Sequence, residues 1–161
     1  MKQSYVEQLK NTIALRLWSF WNVPMIYAIK PWATELSTNK AVLTVKLRRK
    51  TKNHLQSLYM GVLVAGADLA CGLLTMHLIK KSKQRISLVF KDIKADFLKR
   101  AESHTIFVCD DGAIINNMIE KAINTNERVN STVGVTAYCP EKLGDEPVAK
   151  FKLTLSIRKK R

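Results

Sequence analysis

The sequence contains little proline, glycine or cysteine. Among its 161 residues there are only four prolines, six glycines and three cysteines. The cysteines, Cys71, Cys109 and Cys139, are scattered and show no Cys-x-x-Cys or Cys/His spacing. We therefore expect neither a disulfide framework nor a metal site. Unpaired cysteines favour a reducing compartment, so we expect a cytoplasmic protein.

No segment has the pattern of a signal peptide or of an uninterrupted transmembrane span. The first ten residues (MKQSYVEQLK) are too polar and too acidic for a signal sequence. The apolar stretch 15–29 is interrupted by Arg16, Asn22 and Pro24. The stretch 58–79 is longer and nearly uncharged, but its small and polar residues favour a close-packed helix inside a protein.

Acidic residues are scarce as well. Aspartate and glutamate number 13 against 27 lysines and arginines, which gives a formal net charge of +14. Three clusters carry much of this charge, at residues 46–52 (KLRRKTK), 80–85 (KKSKQR) and 158–161 (RKKR). Such a charge informs on partners rather than on fold. It would suit a solvated surface, a coenzyme A phosphate, nucleic acid or an acidic membrane surface.

Helical and strand patterns follow one another over a single domain. Helices are predicted over residues 4–20, 58–79 and 113–124, and strands over residues 41–49, 86–97, 102–109, 128–138 and 148–157. The turn Asp110-Asp111-Gly112 is expected to cap the third helix. This order predicts an α+β domain in which antiparallel strands pack on one side of a helix.

The first predicted helix is amphipathic and ends in an aromatic cluster. Its apolar residues recur at spacings of three and four, namely Leu9, Ile13, Leu17 and Phe20. Trp18, Trp21 and Trp32 lie close by in the sequence, together with Phe20. We expect this cluster to form a lid over the core. A wall of an acyl-chain pocket or a surface that touches a membrane are the alternatives.

The helix predicted over residues 58–79 is apolar on all sides and carries a single acidic residue, Asp68. Small residues surround it in the stretch AGADLACG, in which Gly66 and Gly72 lower the helix propensity. A buried carboxylate is costly unless it is paired, hydrogen-bonded or shifted in pKa. Asp68 is therefore either a catalytic group or a structural residue that caps a loop or pairs with a basic residue across an interface.

Gly61 lies seven residues before Asp68, which places both on the same face of the helix. It also lies in the first turn, where backbone amides are free and the helix dipole is positive. Amides at Gly61 and Met60 could stabilise an oxyanion while Asp68 activates water or attacks directly. This arrangement would suit hydrolysis of a thioester.

These residues resemble a motif of the hotdog-fold thioesterases of the phenylacetyl-CoA type, N-x-x-G-x-x-H-G-G-x6-[D/E]. Asn53 matches the asparagine, Gly61 the last glycine and Asp68 the acid. Three positions depart from the motif, at Gln56, Tyr59 and Met60, where the family has Gly, His and Gly. The stretch NHLQSLYMG is similar to a mainly bacterial branch of the superfamily with the pattern N-H-x-x-[S/T]-x-[Y/F]-x-G.

The resemblance implies a hotdog fold, with an antiparallel sheet wrapped around a long central helix. We expect a single domain with a helical extension over residues 1–34 and a hotdog core over residues 35–161. It also implies an acyl-CoA or acyl-carrier-protein thioester as substrate, with coenzyme A as part of the substrate and no separate cofactor. A homodimer, or a tetramer of dimers, would place the acid of one subunit opposite the loop of the other.

The expected site has Asp68 as nucleophile or general base and Gly61 as oxyanion donor. The substrate would be bound or oriented by Asn53, His54, Ser57, Tyr59 and Met60. Two alternatives remain. The missing His and Gly of the motif would suit a non-catalytic hotdog module that binds an acyl group or dimerises. The net charge would suit a nucleic-acid-binding protein, which is the weakest option because no reader motif accompanies the basic clusters.

Overall fold

The computed structural model describes residues 3–160, so Arg161 of the basic carboxyl-terminal cluster lies outside the described part. Five helices are present in this range, α1 (Tyr5–Asn22), α2 (Pro24–Ile29), α3 (Met60–Ser82), α4 (Gly112–Thr125) and α5 (Pro140–Leu143). Six strands accompany them, β1 (Trp32–Leu36), β2 (Ala41–Val45), β3 (Ile86–Phe97), β4 (Thr105–Cys109), β5 (Val129–Tyr138) and β6 (Pro147–Lys159).

The strands form one antiparallel sheet in the order β1-β2-β4-β5-β6-β3. The long helix α3 lies against the sheet and contributes twelve buried residues to the core. By length and composition α3 could cross a membrane, but 67% of its apolar window is buried inside the fold. The predicted α+β class is confirmed, with α3 as a close-packed core helix.

Three short elements were not predicted, namely β1, α2 and α5. The five residues of β1 pair with β2 in a hairpin, with a register shift between Ala33 and Glu35. This strand crosses the boundary that we placed between residues 34 and 35. Its alternation is too short to be separated from the flanking aromatic cluster by sequence pattern.

A close approach between α3 and β4 determines how deeply the helix lies in the sheet. The ring of Phe107, which is fully buried, packs against the backbone of Gly66. A Cβ atom at Gly66 would lie 2.4 Å from the ring, which no real contact allows. At Gly72, by contrast, a Cβ atom would meet the ring of Phe90 at an ordinary 3.6 Å.

Helix α1 packs on the sheet with the face that the sequence predicted to be outside. Thr12 and Ser19 are 1% and 0% exposed, and Leu15 is buried with them. All four residues of the predicted apolar stripe are exposed, namely Leu9, Ile13, Leu17 and Phe20. The expected aromatic lid is also wrong, because Trp18 and Trp21 are exposed and Trp32 is half-buried.

Hydrogen bonds from α1 and the residues before it explain this orientation. The Thr12 hydroxyl accepts from the backbone N–H of Ala33 at 3.0 Å. The Gln3 side chain donates to the Leu36 carbonyl at 2.6 Å and accepts from the Leu36 N–H at 3.0 Å. These side chains satisfy free backbone groups along the outer edge of β1. The polar face of α1 therefore packs against β1.

Asp111 occupies the position before α4. Contrary to the prediction, its side chain does not cap the helix. Its carboxylate accepts from the backbone N–H of Gly134 on β5 at 2.7 Å. Gly112 meanwhile approaches the turn at Thr38 and Asn39 so closely that a Cβ atom would lie 2.2 Å from the Thr38 carbonyl oxygen. The turn thus joins the start of α4 to the sheet.

Replacement of the two glycines of α3 by alanine should shift stability in opposite directions. Gly72→Ala should raise the free energy of unfolding by up to about 1 kcal/mol, because alanine is the better helix former. Gly66→Ala gains the same propensity but forces the buried ring of Phe107 to move, so we expect a net loss of about 1–2 kcal/mol. Denaturant unfolding of both variants measures the difference. Equal stabilities would contradict the close approach at Gly66.

Candidate functional site

A cavity of about 340 Å³ lies between the first half of α3 and strand β3. Its walls come from α2, α3, β3 and β6, and its lining residues are Met25, Gly61, Val64, Ala65, Asp68, Phe90, Lys91, Asp92, Ile93 and Leu153. Most of these side chains are apolar. The two predicted catalytic residues, Gly61 and Asp68, therefore lie in one cavity.

Asp68 is half-buried in the wall of this cavity. Within residues 3–160 its carboxylate has neither a hydrogen-bond partner nor an ion pair, although it retains contact with solvent. Burial raises the pKa of Asp68 above its ordinary value, and no neighbouring charge opposes this shift. A carboxylate with a raised pKa in a mostly apolar cavity is suited to accept a proton from water.

The first turn of α3 presents the backbone donors that were expected there. Val62 and Leu63 donate to the carbonyl of Tyr59 at 2.9 and 3.0 Å. The N–H groups of Met60 and Gly61 find no acceptor in the described part of the chain. These two amides are available to a ligand and lie at the positive end of the helix.

Gly61 and Asp68 are nevertheless separated along the helix axis. Seven residues at the rise of an α-helix correspond to about 10 Å. A reacting carbonyl has to lie about 3 Å from its amide donors and about as close to the attacking oxygen. The amides of Gly61 and the carboxylate of Asp68 in the same chain are too far apart to act on one carbonyl group.

The loop before α3 is organised by Asn53. Its side-chain oxygen accepts from the N–H of Leu55 at 2.9 Å, and from the N–H and the hydroxyl of Ser57 at 3.2 Å each. Ser57 is buried. Neither side chain lines the cavity, so both hold the loop that leads into α3 rather than contact its contents.

The other predicted binding residues lie near α3 but outside the cavity lining. His54 is exposed in the loop. Met60 is exposed at the first position of α3, directly after Tyr59. The exposed ring of Tyr59 covers Gly61, since a Cβ atom there would lie 2.6 Å from Tyr59 Cε1. The Tyr59 ring thus occupies the space where a side chain at Gly61 would lie.

Gln56 explains one departure from the thioesterase motif. It stands where the family has glycine, and its backbone has φ of 58°, in the left-handed region that glycine adopts without strain. The loop therefore keeps the glycine-type turn although the residue type has changed. Lys52 supports this turn by donating to the Gln56 side chain at 2.5 Å.

The basic clusters are not gathered around the cavity. Lys91 lines its rim, on a bulge of β3 between Phe90 and Asp92. Cluster 46–52 leads into the loop before α3. Cluster 80–85 lies at the opposite end of α3, about 30 Å along the helix from Gly61. Within one chain, this last cluster is too far away to meet a ligand in the cavity.

Several cavity residues were missed by sequence reasoning, among them Met25, Phe90, Ile93 and Leu153. Phe90 and Ile93 belong to a strand that was predicted with the correct bounds. Phe90 and Ile93 line the cavity because β3 lies at the edge of the sheet. No local sequence pattern reveals that position. Met25 follows Pro24 in an unpredicted helix, and its approach to α3 is a long-range contact.

Cysteine and metal chemistry find no support in the described residues. Cys71 is fully buried on α3, and a hydrogen bond with Cys109 together with burial raises the pKa of its thiol. A thiol in this state is a poor nucleophile. Within residues 3–160 no three His, Cys, Asp or Glu side chains come together as metal ligands.

Comparison with known proteins places the chain in a family. The sequence profile of the family described as "Domain of unknown function (DUF4442)" matches residues 14–156. No curated protein matches the sequence significantly.

Solved structures from several bacteria are similar over most of the chain. A protein of unknown function from Chlorobaculum tepidum is 14% identical with a TM-score of 0.81, over 95% of this chain and 97% of that one. A candidate thioesterase from Shewanella oneidensis is 11% identical with a TM-score of 0.77, over 91% and 96%. A thioesterase from Haemophilus influenzae is 16% identical with a TM-score of 0.61, over 84% and 82%. The predicted hotdog fold is confirmed.

Replacement of Asp68 should stabilise the protein at neutral pH. Because burial raises the pKa of Asp68, its ionisation costs folding free energy. The cost is absent below the pKa of an unfolded aspartate, about 3.9, and grows as the pH rises through the higher folded value. The melting temperature of Asp68→Asn should therefore match the wild type in acid and exceed it near neutral pH.

The matched control is Asp110→Asn, which changes an exposed aspartate in the turn before α4. Thermal unfolding of the three proteins between pH 3 and pH 8, at roughly equal ionic strength, separates the effects. A destabilised Asp68→Asn variant at neutral pH would show that the carboxylate is structurally stabilising and would contradict the prediction.

Proposed function

This chain belongs to the DUF4442 family, and we propose that it is a thioesterase in which Asp68 carries the hydrolytic chemistry. The observation that carries this proposal is the half-buried carboxylate of Asp68, which lines a mostly apolar cavity and has no partner among residues 3–160. An uncompensated acid lowers stability, and such groups are retained where they perform chemistry.

Hydrolysis of a thioester forms one carbon–oxygen bond and breaks one carbon–sulfur bond. The Asp68 carboxylate either takes a proton from a water molecule that attacks the carbonyl carbon, or attacks this carbon itself. In the second route water then hydrolyses the mixed anhydride. In both routes the carbonyl oxygen gains negative charge, and the departing sulfur leaves as a thiol after protonation. The products are a carboxylic acid and a thiol.

The developing charge requires hydrogen-bond donors, and the free amides of Met60 and Gly61 are suited to this role. They are about 10 Å from Asp68 of the same chain. A complete site therefore needs the amides of a second copy next to Asp68. We infer that the active unit is a homodimer, in which Asp68 of one subunit acts with the partner's Gly61.

Strand β3 supports such a dimer because it is an unprotected edge. It has twelve residues, ends the sheet and carries exposed apolar side chains at Val89, Phe90, Ile93 and Phe97. A long apolar edge strand is a template for pairing with another strand. Antiparallel pairing of two β3 strands about a two-fold axis would also set the two α3 helices antiparallel. The amino end of each helix would then face the middle of the other.

The cavity suits the acyl part of the substrate. Its apolar wall would hold a hydrocarbon or aryl group, and the side chains that form this wall are Met25, Val64, Ala65, Phe90, Ile93 and Leu153. Lys91 at the rim and the basic residues 46–52 before α3 would favour an anionic carrier, either coenzyme A or an acidic acyl-carrier protein.

Thiol release from a panel of acyl-CoAs, from short to long and including aryl groups, tests the activity. We expect hydrolysis by the wild type, a loss of at least about a hundredfold in Asp68→Asn, the usual effect of removing a catalytic base, and normal rates in Asp110→Asn. Acyl-CoA binding without turnover by the wild type would instead indicate a binding module. Unchanged hydrolysis in Asp68→Asn would refute the assignment of the acid.

The pH dependence gives a separate test of Asp68. The ionised carboxylate is the active form, and burial raises its pKa. We therefore expect kcat/KM to increase with pH through one ionisation whose midpoint lies above the ordinary range of aspartate. A plateau that already begins at ordinary aspartate pKa values, or a rate that falls over this range, would contradict the role of a buried base.

Complementation tests the shared site. Gly61→Val obstructs the amides and Asp68→Asn removes the acid, so each homodimer should be inactive. A mixed dimer would contain one intact site, made of Asp68 from the Gly61→Val chain and Gly61 from the Asp68→Asn chain. Co-expression with two different tags should restore about one quarter of the wild-type activity, because half of the dimers are mixed and each has one of two sites.

The recovered activity should purify with both tags together. Mixed dimers that form normally but show no activity would contradict the shared site. This result would still allow Asp68 to act as a catalytic residue within one chain. It would refute the shared site without refuting the hydrolase activity.

A further inference from the structure

An extensive exposed apolar surface outside the cavity lies on α1. Five residues at successive spacings of four form a stripe that winds over the exposed half of this helix, namely Tyr5, Leu9, Ile13, Leu17 and Trp21. Trp21 is 80% exposed and Leu17 is 61% exposed. We call these five residues the outer face of α1. Singly exposed apolar residues are common on proteins, but a continuous stripe of this length marks an interaction surface.

The outer face continues into α2 through an aromatic cluster. Phe20 packs edge-on against Trp21 and against Tyr27, with ring centroids 5.1 Å apart in both pairs. All three rings are exposed. Met25 is exposed beside them and also lines the Asp68 cavity. The apolar surface therefore reaches from the amino end of α1 to the rim of the cavity.

The surface is rigidly presented, because the opposite side of α1 is attached to the sheet. The hydrogen bonds of Gln3 and Thr12 to β1 hold the helix in one rotation. Arg16 adds a bond from Nε to the Pro31 carbonyl at 3.1 Å. The helix cannot turn its apolar side inward without breaking these bonds, so the outer face is not a displaced core surface.

Positive charge lies within the outer face and beside it. Helical geometry places Lys10 between Leu17 and Trp21 around the helix, inside the face. Towards the sheet, the Arg16 guanidinium donates to the Lys30 carbonyl at 3.3 Å. Burial, and then the charge of Arg48, lower the pKa of Arg16, so a second cation lies nearby.

Few acids balance these cations. Glu7 is the only acid within α1 and α2. The ion pairs within residues 3–160, Lys99 with Glu146 and Arg100 with Glu102, involve none of these cations. An apolar helix face with tyrosine and tryptophan at its ends and with cations within and beside it has the composition of a helix that lies in a membrane interface.

We propose that the outer face of α1 binds the surface of an anionic phospholipid bilayer. Leu9, Ile13 and Leu17 would enter the apolar boundary below the headgroups, with Tyr5 and Trp21 at headgroup level. Lys10 and Lys30 would face lipid phosphates. Long-range attraction comes from the net charge of +14. This docking does not depend on the proposed hydrolase activity.

A second copy of the chain is the less suitable occupant. Two outer faces in contact would bring the Lys10 side chains of both copies together. The pairing proposed for β3 would not cover the outer face either. Helix α1 bonds to β1, and β1 and β3 are the opposite edges of the six-stranded sheet.

Flotation with vesicles tests the proposal. We expect the protein to float with vesicles of equal parts phosphatidylcholine and phosphatidylglycerol, to float little with phosphatidylcholine alone, and to be released at high salt. Leu17→Ser/Trp21→Ser should reduce the partition coefficient by about tenfold or more, the effect of losing two large buried apolar side chains. Lys10→Gln/Lys30→Gln should weaken only the binding to anionic vesicles.

The control is Ile114→Ser, which removes an exposed apolar side chain on α4 and should bind as the wild type. Tryptophan fluorescence places the contact. Trp18→Phe/Trp32→Phe leaves Trp21 as the only tryptophan of three. Its emission should shift to the blue on addition of anionic vesicles. Bound protein with an unshifted Trp21 would overturn the proposal, because another surface would then contact the lipid.

Two further results would also overturn it. One is flotation of Leu17→Ser/Trp21→Ser equal to that of the wild type, or no flotation of the wild type at all. The other is a lower molar mass of Leu17→Ser/Trp21→Ser in solution by light scattering, since the outer face would then be covered by another copy. We expect the molar mass to be unchanged.

Discussion

The contact between the backbone of Gly66 and the ring of Phe107 determines where the central helix lies. It lets α3 approach the sheet more closely than a side chain at Gly66 would allow. Asp68 follows two residues later, about 200° further around the helix, and so faces away from β4. The close packing on one side of α3 and the half-buried acid on the other are consequences of the same placement. A fully surrounded helix could not hold an unpaired carboxylate.

Periodicity was sufficient to predict the long elements, since β3 has the predicted bounds and α3 differs by two or three residues at its ends. The isolation of Asp68 was visible because one charge stood in an apolar helix. Its shared face with Gly61 followed from spacing alone. The cavity wall was not predictable in the same way. Met25 and Leu153 meet α3 only through tertiary packing, and no local pattern encodes such contacts.

Helix α1 shows why amphipathicity predicts two faces but not their direction. Hydrophobic periodicity identified its apolar stripe correctly, yet Thr12 and Ser19 are the residues that are buried. The backbone of β1 decides the direction. Its outer edge pairs with no strand, so its donors and acceptors there can bond to the polar face of a helix. The same reasoning could not be applied beforehand, because β1 itself was too short to be recognised.

The two edges of the sheet are finished differently. Along β1, side chains from the amino-terminal segment occupy backbone positions where a further strand would bond, whereas within residues 3–160 no such side chains cover β3. A sheet with one covered edge can add a strand only at its other edge. Growth by edge pairing would therefore end once two copies have joined through β3, since both outer edges of the pair would be covered β1 strands. In a protein whose copies join through β3, helix α1 would in this sense limit strand addition to two copies.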